Sequence, residues 1–244
     1  MRAPALKATI QRRLLVNYRI NPDVLSPMVP APFRPQLVGG FGMAGICLIR
    51  LSGIRPSALP AAVGLTAENA AHRIAVEWDT PDGIARGVYI PRRDTSSRLI
   101  AVLGGRVFPG WHHLADFDVQ EGNGQYQIYV NSRDGEVSVE VSARLADEPM
   151  AGSVFASLEE ASWFFRRAPV GYSVRPILGA FDGVELGTCG WGMQALLLEE
   201  SCSSFFDDPA RFAPGSAVVD SAFLMEGLDT RWTPKPRLVA RAMP

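Results

Sequence analysis

Two adjacent histidines, His112 and His113, follow a Gly-Arg-aromatic turn, Gly105-Arg106-Val107-Phe108-Pro109-Gly110-Trp111, and the chain holds only three histidines in all. Imidazole is the side chain that changes charge near neutral pH, so most of that capacity is gathered in one place. A histidine there can serve as a general acid or base, or donate a hydrogen bond to a bound carbonyl. Neighbours along a strand point to opposite faces, so at most one of the two faces an interior. The alternative is one satisfied structural histidine beside one surface histidine. Arg106 suits a carboxylate or enolate oxygen, which its planar fork binds through two parallel donors. Otherwise it ties a helix end to the sheet. Phe108 and Trp111, in the same turn, are placed to line a ligand space.

Other polar groups give less direct signals. Glu68 and Arg73 flank a strand start and read either as an acid/base and an anion contact or as a plain ion pair. Tyr89 offers a phenol to the same space, or fills a core. The run Arg92-Arg93-Asp94 is expected to be solvated, with a local ion pair at Asp94. No spacing supports a metal site built from His72, His112 and His113. Ser203 and Ser204 lack the GxSxG setting of a hydrolase nucleophile, and Gly39-Gly40-Phe41-Gly42 lacks phosphate-loop spacing. No metal or cofactor is expected.

The totals narrow the classes. Of 24 basic residues, 22 are arginine, and only Lys7 and Lys235 can supply a side-chain amine nucleophile. A net charge of −1 does not indicate a broad basic surface for nucleic acid. Cys47, Cys189 and Cys202 form no CxxC pattern, which points to a reducing, cytoplasmic setting without a disulfide framework. The start carries no continuous apolar h-region, and no stretch reaches the ~20 apolar residues of a membrane span. The arginines near the start are read as a surface strand.

These residues must be positioned by short elements. Strands are expected over 14–18, 45–51, 72–78, 85–90, 116–119, 125–130, 136–145, 172–175, 183–186, 190–198 and 218–225. His72, Ile74, Val76 and Trp78 alternate with Arg73, Ala75 and Glu77 at strand period. Pro81-Asp82-Gly83 turns that strand into the next, and Gly122-Asn123-Gly124 and Asp134-Gly135 mark further hairpins. The Asp94-Thr95-Ser96 cluster caps a helix over 97–103 that stops at Gly104-Gly105. Ser157-Leu-Glu-Glu160 is a capping box opening a helix to Arg167, with Trp163, Phe164 and Phe165 read as its core face. A short helix is expected after Asp208, and a loosely held tail from Thr233. Hairpins without βαβ crossovers predict one α+β domain over 1–244, a mainly antiparallel sheet curled into a barrel with a ligand-sized interior.

At this point the chain resembles a known family. The segments LLVNYRINPDVLSPMVPAPFRP, GVYIPRRD, GGRVFPGWHHLA, SLEEASWFF and WGMQALLLEE are similar to the family called domain of unknown function 2071, a branch of the acetoacetate decarboxylase-like superfamily. Acetoacetate decarboxylases carry an extended Y-x-P strand, a short helix, and a Gly-Arg-aromatic turn ending in a lysine pair. In the matching frame, one residue shorter, this chain has His112 and His113 where the lysines that form and tune the Schiff base would stand. The resemblance implies an inherited fold without the Schiff-base reaction, since imidazole cannot form the iminium that an amine forms. It implies a lysine-free relative that binds a small oxo acid or related carbonyl compound. His112 or His113 would handle protons and Arg106 would hold the anionic end. A non-catalytic ligand-binding barrel and a structural or oligomerisation unit are the alternatives. The partner expected is a small molecule, with no nucleic acid and no membrane, and a homo-oligomer is compatible.

Overall fold

The computed structural model describes residues 4–108, 110–175 and 180–239. Among them run thirteen strands and three short α-helices. In chain order these are β1 (Leu6–Ile20), α1 (Pro22–Leu25), β2 (Arg34–Pro35), β3 (Leu37–Val38), β4 (Phe41–Pro56), β5 (Leu65–Thr80) and β6 (Gly83–Thr95). Then come α2 (Arg98–Leu103), β7 (His113–Gly122), β8 (Gln125–Ser132), β9 (Ser138–Ala146) and α3 (Leu158–Arg166). The series ends with β10 (Val170–Arg175), β11 (Ala180–Thr188), β12 (Gln194–Ser203) and β13 (Ala217–Val239). The architecture is α+β, a barrel-like sheet with few helices.

The sheet closes on itself. β6, β10, β11, β13, β1, β4 and β5 follow one another by hydrogen bonding, and β5 pairs back to β6. The pairings are antiparallel except β6 with β10 and β6 with β7. A second leaf, β7-β8-β9-β12, leaves this ring at β6 and rejoins it at β13. The β1-β4-β5 wall is therefore covered on both faces. One face packs Leu14, Val16, Ile46, Leu48, Ile74 and Val76 against Ile128, Val139 and Val141 of the second leaf. The other packs Leu15, Cys47, Ile49 and Ala75 with Phe108, Phe155, Phe164 and Phe223.

Burial on both faces marks the middle of β1. Leu14, Leu15 and Val16 are all buried, so the two-residue alternation that marks a half-exposed strand is absent there. The hairpin after β5 turns where expected, with Thr80 paired to Gly83. The serine caps also form: Ser97 Oγ accepts from Ile100 N at 3.3 Å and Ser157 Oγ from Glu160 N at 3.1 Å, while Glu160 reaches back to Ala156 N at 2.8 Å.

Three expectations need correction. The segment after Thr233 lies within β13 and pairs with β11 up to Val239, so its prolines sit in a bonded strand. After Asp208 the chain makes turns held by Asp208, whose carbonyl accepts from Arg211 N and Phe212 N, and no helix forms. Trp163 is 59% exposed and carries Arg167 over its ring at 4.2 Å. Consecutive helix positions stand ~100° apart, so Trp163, Phe164 and Phe165 cannot share one buried face. No helix among the described residues is long and apolar enough to cross a membrane.

Candidate functional site

The ring encloses a cavity of about 440 Å³. Its walls are mostly apolar: Cys47, Ile49 and Leu51 from β4, Ala71 and Ala75 from β5, Val88 and Ile90 from β6, Leu186 from β11 and Trp232 from β13. Ile100 of α2, Phe108, and Phe164 and Phe165 of α3 also face it. Into this apolar space come Arg13, Arg73, Arg93 and His112.

Strand register sets the arginines. Asn17, Gly45 and Arg73 stand side by side across β1, β4 and β5. The Arg73 guanidinium reaches across β4 to donate from Nη2 to Asn17 Oδ1, and at Gly45 the strands approach closely. A Cβ on Gly45 would lie 2.2 Å from the Val16 carbonyl oxygen. Arg73 is 4% exposed, its Nε has no hydrogen-bond partner, and its guanidinium lies 5.0 Å from the Phe165 ring centre. Burial pulls its pKa down to about 10, because the low-dielectric surroundings disfavour the charged form.

Arg93 is turned inward by a bulge. Between Tyr89 and Arg92, β6 advances three residues while β5 advances two, from Ile74 to His72. The extra residue switches the parity of β6, so Val88, Ile90 and Arg93 all reach the cavity. Arg93 Nε donates to Ser173 Oγ at 3.0 Å. Its pKa is also lowered to about 10 by burial. Arg13 completes the set, with Nε donating to Cys47 Sγ at 3.4 Å and Nη1 near Met225 Sδ at 3.9 Å. Sulfur is a weak acceptor. Among the described residues none of these three arginines is paired with a carboxylate. Asp94, which also borders the cavity, is held by Arg92 at 2.7 Å.

His112 owes its place to two glycines. A Cβ on Gly104 would stand 3.2 Å from the His112 Nδ1, and one on Gly110, at φ +78°, would stand 2.9 Å from Ser173 and 3.1 Å from Arg93 Nε. The turn thus packs directly on the Arg93–Ser173 pair. His112 Nδ1 lies 3.1 Å from the Gly110 carbonyl. A carbonyl only accepts, so Nδ1 carries the proton and Nε2 holds the lone pair. Burial first, then the charge of Arg93, lowers the His112 pKa to about 3. The ring is neutral at neutral pH.

Of the residues singled out in the sequence, Arg73, Phe108 and His112 border the cavity. The others do not. His113 begins β7 on the outer side, exposed, with Nδ1 2.8 Å from Asp134 Oδ2. His112 ends the turn, and the strand begins one residue later with His113 on its outer face. Arg106 is exposed, and Trp111 is 50% exposed outside the cavity. Tyr89 stacks near Phe33 and Phe181 in the opposite core, where burial raises its pKa. Glu68 lies on the even-numbered face of β5, joined to Arg12 at 2.6 Å and Arg50 at 2.5 Å. His72 points away from the cavity too, packed on Phe205 at 4.7 Å with both ring nitrogens unpartnered. No group of three or more His, Cys, Asp or Glu among the described residues could hold a metal ion.

Sequence reasoning missed Arg13 and Arg93. Arg13 sits in the strand read as surface, yet its neighbour Arg12 is 2% exposed. Arg93 sits in the run read as solvated. Arg92 does take the expected partner, Asp94, while Arg93 departs to the other face. Both lysines lie off the cavity: Lys7 is exposed, and Lys235 Nζ is 2.7 Å from Glu185.

A strand ring with a helix-covered cavity is the acetoacetate decarboxylase-like fold. Acetoacetate decarboxylase from Legionella pneumophila superposes with a TM-score of 0.63 at 8% identity, covering 98% of this chain and 89% of its own. An acetoacetate decarboxylase-like enzyme from Sphingomonas wittichii RW1 gives 0.59 at 12% identity, covering 98% and 94%. The enduracididine biosynthesis enzyme MppR, in a structure with pyruvate, gives 0.59 at 13% identity, covering 98% and 91%. Likeness at such identities is one of fold. No curated protein matches the sequence. The family assignment comes from the sequence pattern over residues 7–175: this chain belongs to the DUF2071 family, described as an uncharacterized conserved protein.

Proposed function

We propose that the cavity binds a small oxo acid or related carbonyl compound, and that Arg73 and Arg93 hold its carboxylate. One observation carries this reading: the guanidiniums of Arg13, Arg73 and Arg93 border an apolar space, and among the described residues no carboxylate is paired to them. A buried cation without a counter-ion is costly, and an anionic ligand entering the space removes that cost. The apolar walls exclude water and strengthen each ion contact. The volume, about 440 Å³, admits such an acid with room to spare.

His112 is the proton-handling group in this reading. Its Nε2 lone pair takes a proton from the carbon beside the carbonyl, and the enolate oxygen that results faces the arginines. An anion bound near Arg93 offsets that residue's charge and raises the basicity of His112. With no lysine bordering the cavity, the chemistry runs without a Schiff base. The pyruvate in the MppR structure is of the ligand class proposed.

The experiment is a thermal-shift series with pyruvate, acetoacetate and their neutral amides, on wild type, Arg73→Met and His112→Gln. The acids raise Tm in wild type, the amides do not, and Arg73→Met loses the response. His112→Gln keeps binding but loses exchange of the ligand's α-carbon protons with solvent deuterium. Equal shifts from acids and amides, or none, contradict the reading.

A further inference from the structure

We infer that Cys47 is a nucleophile of the cavity, adding its sulfur to the electrophilic carbonyl carbon of a bound oxo acid. This rests on the anion-binding reading above and names the side chain that meets the ligand's other end. Cys47 is 7% exposed and borders the cavity. Leu15, Cys47, Ala71 and Arg93 stand side by side across β1, β4, β5 and β6. Paired residues share a face, and the position between Cys47 and Arg93 is only a methyl group, so the sulfur and the Arg93 fork look into one space. Arg13 Nε donates to Sγ at 3.4 Å. Arg73, one row away, adds a second, independent sign of a missing ligand: a buried Nε–H with no partner. Such orphaned donors are rare and mark a site whose acceptor arrives from outside.

The step balances without a further reactant. The S–C bond forms as the C=O π bond breaks, its electron pair moves to oxygen, and the thiol proton ends on that oxygen, giving a hemithioketal. Charge gathering on oxygen during attack faces the guanidiniums, and the carboxylate held by Arg73 and Arg93 sets the carbonyl carbon toward β4. Cys189 and Cys202 are exposed and lie outside this cavity.

That contrast supplies the test. The full chain is treated separately with 3-bromopyruvate, an anionic oxo acid whose bromide a thiolate displaces, and with neutral iodoacetamide. Labelling at each cysteine is read by peptide mass spectrometry. Expected is a preference for Cys47 over Cys189 and Cys202 that is about tenfold higher with bromopyruvate than with iodoacetamide, the factor of one charge-assisted hydrogen bond. Pyruvate in excess protects Cys47 and leaves the other two unchanged. Equal preference for both reagents, or no protection by pyruvate, overturns the inference. Thermal shifts on Cys47→Ser separate the two readings. A pyruvate shift that persists while the Cys47 preference is missing removes the sulfur's role alone; a shift absent from both proteins removes the anion site with it.

Discussion

Replacing Arg93 by methionine keeps most of the side-chain volume and removes a cation that the fold buries without a carboxylate. The change inverts the usual cost of deleting a buried charge. Burial lowers the Arg93 pKa to about 10, a depression worth about 3 kcal/mol of destabilisation at neutral pH. The side chain is partly exposed because it borders the cavity, so that value is an upper bound. Against it stands one hydrogen bond to Ser173 Oγ at 3.0 Å, worth about 1.5–3 kcal/mol for a charged donor. The balance lies between roughly zero and a gain of ~1.5 kcal/mol. For a chain of this length that leaves Tm unchanged or raises it by up to about 5 °C. Removing one member of a true buried ion pair would instead cost about 3–5 kcal/mol and lower Tm by ~10 °C. The sign with pH is fixed as well. The folded pKa lies below the ordinary arginine value, so both states stay protonated through neutral pH and the destabilisation is constant there. It is relieved only as pH climbs past about 10. The assay is a thermal scan at neutral pH, with and without pyruvate. A fall of ~10 °C in the ligand-free variant refutes the claim that Arg93 is buried without a carboxylate partner.

Gly45→Ala puts a Cβ 2.2 Å from the Val16 carbonyl, so denaturant titration should show a loss of at least ~2 kcal/mol. His72 is neutral, with burial lowering its pKa to about 3. As pH falls, the unfolded chain takes up that proton first, so the contribution is whole above the ordinary histidine range and lost between there and about pH 3. His72→Phe should therefore show about 2 kcal/mol less stability loss than wild type between pH 8 and pH 5, read from paired urea titrations. Glu68→Gln removes one of the two carboxylates, Glu68 and Glu121, that join Arg12 to Arg50. It should cost ~1.5–3 kcal/mol by denaturant titration and leave the pyruvate affinity of the folded protein unchanged.

The parts of the fold that read from sequence are those governed by local chemistry. Ser97 and Ser157 cap helices because their hydroxyls meet free amides, and Pro81-Asp82 turns a hairpin because of its residue types. The long strands were harder to read. β1 and β5 run well beyond the short stretches expected at 14–18 and 72–78, because in their outer parts the inward positions include Ala8, Arg12, Ala67 and Ala70, which carry little apolar signal. At the site, the turn carrying His112 was legible because glycines and two histidines are local signals. Of the cavity's arginines, only Arg73 was singled out. Arg13, Arg73 and Arg93 belong to three strands and share no motif; register brings them together, and for Arg93 a single bulge decides the face. Of the two adjacent histidines, only His112 borders the cavity.

The most direct measurement is a crystal structure of the protein with pyruvate at saturating concentration. The account predicts density for a three-carbon acid inside the strand ring, its carboxylate within hydrogen-bond distance of Arg73 or Arg93 and its carbonyl carbon turned toward Cys47. A cavity that stays free of pyruvate at that concentration, or an acid seated only against the exposed His113 and Arg106, would contradict it.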